Sequence, residues 1–229
     1  ENDIFLKNID DENIVKFTHN LKAKCYTFSL KGDADIYVKN QHVYFKDIEL
    51  FNCSNLKVFG MHNVSNALVA CVMAYLMGVD VNDIKNVIES FGGVEHRLEY
   101  VKTIRNIDFY NDSKATTAES TVVALEAFNQ QIILLAGGYD KKTGFESLRP
   151  YLSKVKNLIA FGDTKHQFKE LYPQTMLVND MYEAINLAYS LAQDNDKIVL
   201  SPACASYDQF ENYEQRGRIF KEYVNSLKE

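Results

Sequence analysis

Ile107-Asp-Phe-Tyr-Asn-Asp-Ser-Lys-Ala-Thr-Thr-Ala-Glu-Ser-Thr-Val-Val-Ala-Leu-Glu-Ala-Phe128 is a short β-prone run, then a loop of small polar residues, then a helix-forming stretch. The same order recurs on both sides of it. Strands are predicted at Leu98–Thr103, Ile107–Tyr110, Gln131–Ala136, Asn157–Phe161, Thr175–Val178 and Lys197–Leu200. Helices fall between and after them at Thr117–Phe128, Phe145–Leu152, Lys165–Leu171, Met181–Ala192 and Phe210–Leu227. Strands alternating with helices at this spacing predict a mostly parallel, doubly wound sheet with helices on both faces. In the last helix Phe210, Tyr213, Gly217, Phe220, Val224 and Leu227 step by three and four, a continuous core-facing stripe.

Upstream of residue 94 the pattern differs. A strand-like run Asp3–Lys7, a short helix through Ile14, Val15 and Phe17, and a strand Ala23–Leu30 come first, so the chain reads as if it opened inside a domain. Short alternating strands at Ile36–Val38, Val43–Phe45 and Ile48–Phe51 suit an antiparallel ribbon at a sheet edge. A helix from about His62 to Met77 buries Val64, Leu68, Cys71 and Tyr75 and ends at Gly78. A second follows Asp80 and runs to Ser90. Gly92-Gly93 is the natural hinge between the two regions.

With 25 Lys+Arg against 31 Asp+Glu the 229-residue chain has a net charge of −6, which argues against a general nucleic-acid binder. The longest apolar stretch, Ala67–Met77, is about half of the roughly 20 residues a membrane span needs, and no signal-peptide layout is present. Cys25, Cys53, Cys71 and Cys204 form no C-x-x-C pair, which fits reduced thiols and suggests no zinc site. The histidines stand in no nucleophile motif, so a hydrolase is not indicated. A G-x-x-x-x-G-K-[ST] phosphate loop is absent as well, and Gly162-Asp-Thr-Lys165 lacks the leading glycine.

In an open α/β sheet, ligands bind beyond the carboxyl ends of the strands. Three such ends are rich in small and polar residues: Asn111–Thr117, Gly137–Lys142 and Ser201–Ser206. Lysines and hydroxyls beside helix amino termini suit a carboxylate or phosphate. Each residue also has a plainer reading. Thr116 with Glu119 makes a capping box for the next helix, and Gly137-Gly138 serves as a turn. Asp112 and Lys114 can form a surface ion pair. Ser206 and Asp208 can cap the last helix, and Tyr213 can simply pack in the core. Asn63 and Asn66 either cap the long helix or read a base edge. Arg97 either reaches a phosphate, bridges two domains or makes a surface ion pair.

In order and spacing, Gly60-x-His-Asn63-x-x-Asn66, Glu95-His-Arg97-Leu-Glu99, Asn111-Asp-Ser-Lys-Ala-Thr116, Ala136-Gly-Gly-x-Asp-Lys141 and Leu200-Ser-Pro-Ala-Cys-Ala-Ser206 through Arg216-Gly217 closely resemble the Mur ligases. The resemblance covers essentially the whole chain. The final motif resembles the members that add D-glutamate, while the asparagine-led and serine-proline motifs disfavour a folate polyglutamylating relative.

What the resemblance implies is an ADP-forming amide ligase of bacterial peptidoglycan precursor synthesis. It would be monomeric and cytoplasmic, and would use ATP and Mg2+ to join D-glutamate to UDP-N-acetylmuramoyl-L-alanine through an acyl phosphate. Residues 1–93 would be the carboxyl-terminal portion of the central ATP-binding domain, and 94–229 the carboxyl-terminal, Rossmann-like ligase domain. By motif, Asn63 and Asn66 would contact adenine, Arg97 the nucleotide, Asp112 the ribose, and Lys114 the phosphates as the catalytic cation. Thr116 and Lys141 would hold the α-carboxylate of D-glutamate, Ser206 and the backbone of Tyr213 its side-chain carboxylate. Tyr213 stands where phenylalanine is common, and Thr117 where asparagine is common. The family's phosphate loop, its magnesium ligands and its UDP-binding domain have no counterpart in these residues, so they are expected to be inactive alone. The alternative is a stand-alone module that binds a nucleotide or small anion without turnover.

Overall fold

The computed structural model describes residues 3–58 and 60–228, which divide into two compact units, Glu1–Gly92 and Gly93–Glu229.

In the first unit β1 (Ile4–Asn8), α1 (Glu12–Phe17), β2 (Lys24–Ser29), β3 (Ile36–Lys39), β4 (His42–Phe45) and β5 (Ile48–Asn52) are followed by α2 (Met61–Leu76) and α3 (Val81–Ser90). The strands lie in the order β1-β2-β3-β4-β5. β1, β2 and β3 pair in parallel, and β4 and β5 extend the sheet as the expected antiparallel ribbon. Ile36, Val43, Leu50 and Phe51 meet Leu68, Cys71 and Val72 of α2 and Ile84 and Ile88 of α3 in one apolar layer. Asp80 caps α3 by accepting from the Asn82 N–H, which satisfies one of the amides every helix start leaves open.

The second unit is a six-stranded sheet in the order β10-β9-β8-β11-β7-β6. Its strands are β6 (Glu99–Ile104), β7 (Ile107–Asn111), β8 (Ile132–Gly137), β9 (Val155–Phe161), β10 (Met176–Leu177) and β11 (Lys197–Leu200). All pairings are parallel except β6 with β7. Side chains alternate across a strand, and β8 shows the result. Ile132, Leu134 and Ala136 join a core with α4 (Ala118–Ala127) and α5 (Lys165–Leu171). Ile133 and Leu135 join the opposite core with α6 (Met181–Leu191) and α7 (Tyr213–Ser226). No helix of the described residues is long and apolar enough to cross a membrane.

Two expected helices differ from the reading above. Residues Glu146–Lys154 wind as a 3-10 helix, not as an α-helix, because Pro150 has no N–H to give and its ring crowds the preceding turn. The last helix starts at Tyr213, three residues later than Phe210. Its cap is Asn212, whose side chain accepts from Gln215 N, while the Ser206 carbonyl draws Gln209 N and Phe210 N into a separate turn. Neither Ser206 nor Asp208 is therefore the cap.

β8 ends on a close approach. A Cβ on Gly137, at φ +119°, would lie 2.0 Å from the Phe161 carbonyl oxygen. Neither backbone can yield, so Gly137→Ala should cost at least about 3 kcal/mol. A urea-unfolding midpoint within error of wild type would contradict this.

Candidate functional site

The strand order builds the site. β11 lies between β8 and β7, all three run parallel, and Leu200 pairs with both Asn111 and Leu135. The loops after these strands therefore leave the same edge as neighbours. They are the three segments singled out by composition.

The loop after β7 is joined to the loop after β11 from below. Asp112 N donates to Leu200 O at 2.8 Å. The Asp112 carboxylate accepts from Ser201 Oγ at 2.7 Å and from Leu98 N at 3.1 Å. At 5% exposure this side chain is an internal tie, and the surface ion pair with Lys114 is not formed. Burial pushes its pKa up to about 7, against the pull of the Ser201 and Leu98 bonds and of Arg97 and Arg216. A carboxyl raised in the native state binds more protons folded than unfolded, so stability is present at low pH and falls as pH rises from about 4 towards 7, by up to about 1.4 kcal/mol per pH unit. Asp112→Asn should flatten that part of the stability profile. An unchanged slope between pH 4 and 7 would refute the buried, protonatable carboxyl.

The loop after β8 is joined to the loop after β11 by Gly137 N to Pro202 O and Tyr139 N to Ala205 O, both 2.9 Å, with an isolated antiparallel bridge between Tyr139 and Ala205. Gly138 is more than a turn, since a Cβ there would lie 2.3 Å from Ala205 O. Three residues on, Lys141 Nζ reaches Thr116 Oγ1 at 3.4 Å. Thr116 is free to meet it because α4 is capped by Thr117, whose hydroxyl accepts from Ser120 N. The cap is therefore Thr117, one residue after the Thr116 of the Thr116/Glu119 spacing, and with Ser120 three residues on no capping box forms.

Lys114 is exposed at the rim. Its N–H is held by the His96 carbonyl at 3.0 Å, and its ammonium lies 6.0 Å from the Tyr213 ring centroid. Tyr213 is half-buried, edge-on to His96 and outside the apolar cores, so core packing is not its role. Ser206 is buried at the far end of the third loop.

Glu95-His-Arg97-Leu-Glu99 resolves differently from its sequence reading. The ion pairs here belong to Glu95 and Glu99, which receive Lys221 Nζ at 2.6 and 2.8 Å. Arg97 stands exposed. His96 is buried, and its Nδ1 accepts from Asn111 Nδ2 at 2.9 Å, which leaves the proton on Nε2 facing Glu95. Burial lowers its pKa. His96 at φ +65°, Leu98 at +44° and Ala203 at +58° hold left-handed backbone beside the site, a strain of roughly 1–3 kcal/mol each that only surrounding bonds sustain.

Glu95, His96 and Glu99 are the one trio of described residues whose donor atoms converge within 4.8 Å. Lys221 already pairs with both carboxylates, and one donor is an imidazole. Mg2+ prefers an octahedron of oxygens at about 2.0–2.1 Å, so this trio does not fit it.

Asn63 and Asn66 belong to the first unit. Gly60, at φ +90°, occupies the cap position of α2, so Asn63 lies inside the first turn and does not cap it. Asn66 follows it, exposed.

One organising residue stands in the final motif without a role assigned to it there. Arg216 is fully buried. Its Nε donates to Ser113 Oγ at 2.9 Å, Nη2 to Ser113 O at 2.8 Å and Cys204 O at 3.1 Å, and Nη1 to Ala205 O at 3.2 Å. Burial brings its pKa down to about 10, still charged at neutral pH. The available signal was spacing, because Arg216 lies three residues after Tyr213 and four before Phe220, within the buried stripe of α7.

The second unit is an α/β domain whose mostly parallel sheet gathers two lysines, hydroxyls and left-handed backbone at its carboxyl edge, where ligands of such folds bind. Residues 96–204 match the family described as Mur ligase, glutamate ligase domain, and residues 1–74 match the Mur ligase middle domain. The chain belongs to the Mur ligase family. It is 38% identical over its whole length to UDP-N-acetylmuramoylalanine--D-glutamate ligase of Caldanaerobacter subterraneus and 40% identical over 99% of its length to the protein of that name from Bacillus mycoides, covering 53% and 52% of them. The chain thus spans about half the length of the curated relatives it matches. Among solved structures, MurF from Acinetobacter baumannii aligns with a TM-score of 0.68 at 16% identity over 97% of this chain and 52% of that one. MurF from Thermotoga maritima in complex with ADP aligns at 0.66 and 15% identity over 98% of this chain and 54% of that one. At these identities the likeness is one of fold.

Proposed function

We propose that the protein containing this chain is an ATP-dependent, ADP-forming ligase that joins D-glutamate to UDP-N-acetylmuramoyl-L-alanine for peptidoglycan, working as a monomer in the bacterial cytoplasm. Residues 1–93 serve as part of its central ATP-binding domain and 94–229 as its amino-acid-binding domain. The observation that carries the reading is the meeting of Lys141 with Thr116 on a loop bridged to the Ser206 loop. The identity to ligases named for D-glutamate supports the choice of amino acid.

In this reading the acceptor carboxylate attacks the γ-phosphorus and ADP leaves. The neutral amine of D-glutamate then attacks the acyl carbon, the C–N bond forms, the bond from that carbon to the bridging oxygen breaks with its electron pair leaving on phosphate, and the amine nitrogen loses a proton. Lys114 offsets charge on the transferring phosphoryl group. Lys141 and Thr116 hold the α-carboxylate, and Ser206 with the Tyr213 backbone the distal one. That two-ended grip fixes the amine's direction, which is how positioning lowers the barrier. Asn63 and Asn66 take the adenine and Arg97 the nucleotide. Asp112, whose oxygens already accept from Ser201 and Leu98, reaches a ribose only through its remaining lone pairs. No step is assigned to Mg2+ through the residues of this chain.

The test is ADP release by the full-length protein. Release should require both the UDP-linked acceptor and D-glutamate, with L-glutamate inert. Equal release with L-glutamate, or none with D-glutamate, would overturn the assignment.

A further inference from the structure

We propose that Arg216 is a positioning residue that locks the Lys114 loop to the Ser206 loop, so that the phosphate-side and amino-acid-side contacts form and loosen together. The proposal rests on the ligase reading for its functional sense, while its geometry stands independently. The Arg216 side chain donates every one of its hydrogen bonds to these two loops. Ser113, immediately before Lys114, takes two of them, and Cys204 and Ala205, immediately before Ser206, take the others. Ser113 Oγ, while accepting from Arg216, donates to Tyr213 O at 2.8 Å, which brings the first turn of α7 into the same lock. The Ala205 carbonyl that receives Arg216 also receives Tyr139 N, so the Lys141 loop is tied in at one remove.

A planar guanidinium reaches acceptors in diverging directions at once, whereas an ammonium is a point charge on a flexible stem. Lysine at position 216 therefore keeps the charge and loses the fork. Asp112 still ties the base of the two loops through Leu200 and Ser201, but beyond that tie the residues the fork holds are the sort of segment that opens locally while the core stays closed.

The test is amide hydrogen exchange by mass spectrometry on the 229-residue chain, wild type against Arg216→Lys, with no ligand added. Peptides covering 112–116 and 201–206 should both exchange about tenfold or more faster, with β8 and β9 unchanged. Wild-type exchange in either loop overturns the proposal, as does a uniform rise across the sheet, which a purely structural role would give. Should Arg216→Lys not fold, Ser113→Ala decides. It removes the Nε acceptor and the bond to Tyr213 O but leaves the carbonyl contacts, so exchange must rise in 112–116 and in the first turn of α7; no change refutes the lock. In the full-length protein Arg216→Lys should raise KM for D-glutamate about tenfold and lower kcat together, leaving KM for the UDP-linked acceptor within about twofold. Uncoupled loops in a protein that never uses D-glutamate would sink the ligase reading alone. Wild-type exchange in an active ligase would sink the lock alone.

Discussion

In the full-length protein Lys114→Ala lowers kcat about 100- to 1,000-fold, the range found when a donor aimed at developing charge is removed, while KM for D-glutamate changes little. The expectation follows from where Lys114 stands. Its backbone is fixed by the His96 carbonyl and by neighbours buried on both sides, Ser113 and Ala115, so the ammonium is presented from a rigid base. No salt bridge engages it among the described residues, and its ammonium lies 6.0 Å from the Tyr213 ring centroid. A cation held in this way is free to stabilise the charge of a transferring phosphoryl group. Steady-state kinetics at saturating substrates check it. A kcat within threefold of wild type would remove Lys114 from the chemistry.

Lys141→Ala acts on binding. It raises KM for D-glutamate about 30- to 100-fold, the equivalent of losing one charge-assisted hydrogen bond of about 2–3 kcal/mol, with a smaller fall in kcat. Lys141 is exposed and its one described bond is the long contact to Thr116, so the substitution costs the fold almost nothing. An unchanged KM would strike Lys141 from the amino-acid site. Thr116→Val tests the other half of the same grip with the smaller loss of a neutral hydroxyl.

The second unit was legible because its chemistry and its topology share one pattern. Strands of alternating-face apolar residues end in small polar loops, and parallel pairing sends those loops to one edge. What stayed hidden depended on contacts between distant segments. Asp112 looks solvated beside Lys114 in the sequence, and only Leu98 and Ser201 arriving from elsewhere bury it. Thr116 and Thr117 are interchangeable as caps until the backbone chooses the second. Pro150 diverted a helix whose apolar spacing was otherwise helical, and Asn212 set the start of α7 three residues beyond the apolar stripe's first member. Arg216 is the plainest case. It stands in the final motif with no role of its own until four acceptors are found converging on it.

Heteronuclear NMR titration of the 229-residue chain with D-glutamate is the most direct check on whether these strand ends make one site. The amides of Thr116, Lys141, Ser206 and Tyr213 should shift along a single binding curve, with L-glutamate producing distinctly smaller changes. Shifts at those residues that follow separate curves, or that do not distinguish the two enantiomers, would contradict a shared amino-acid pocket.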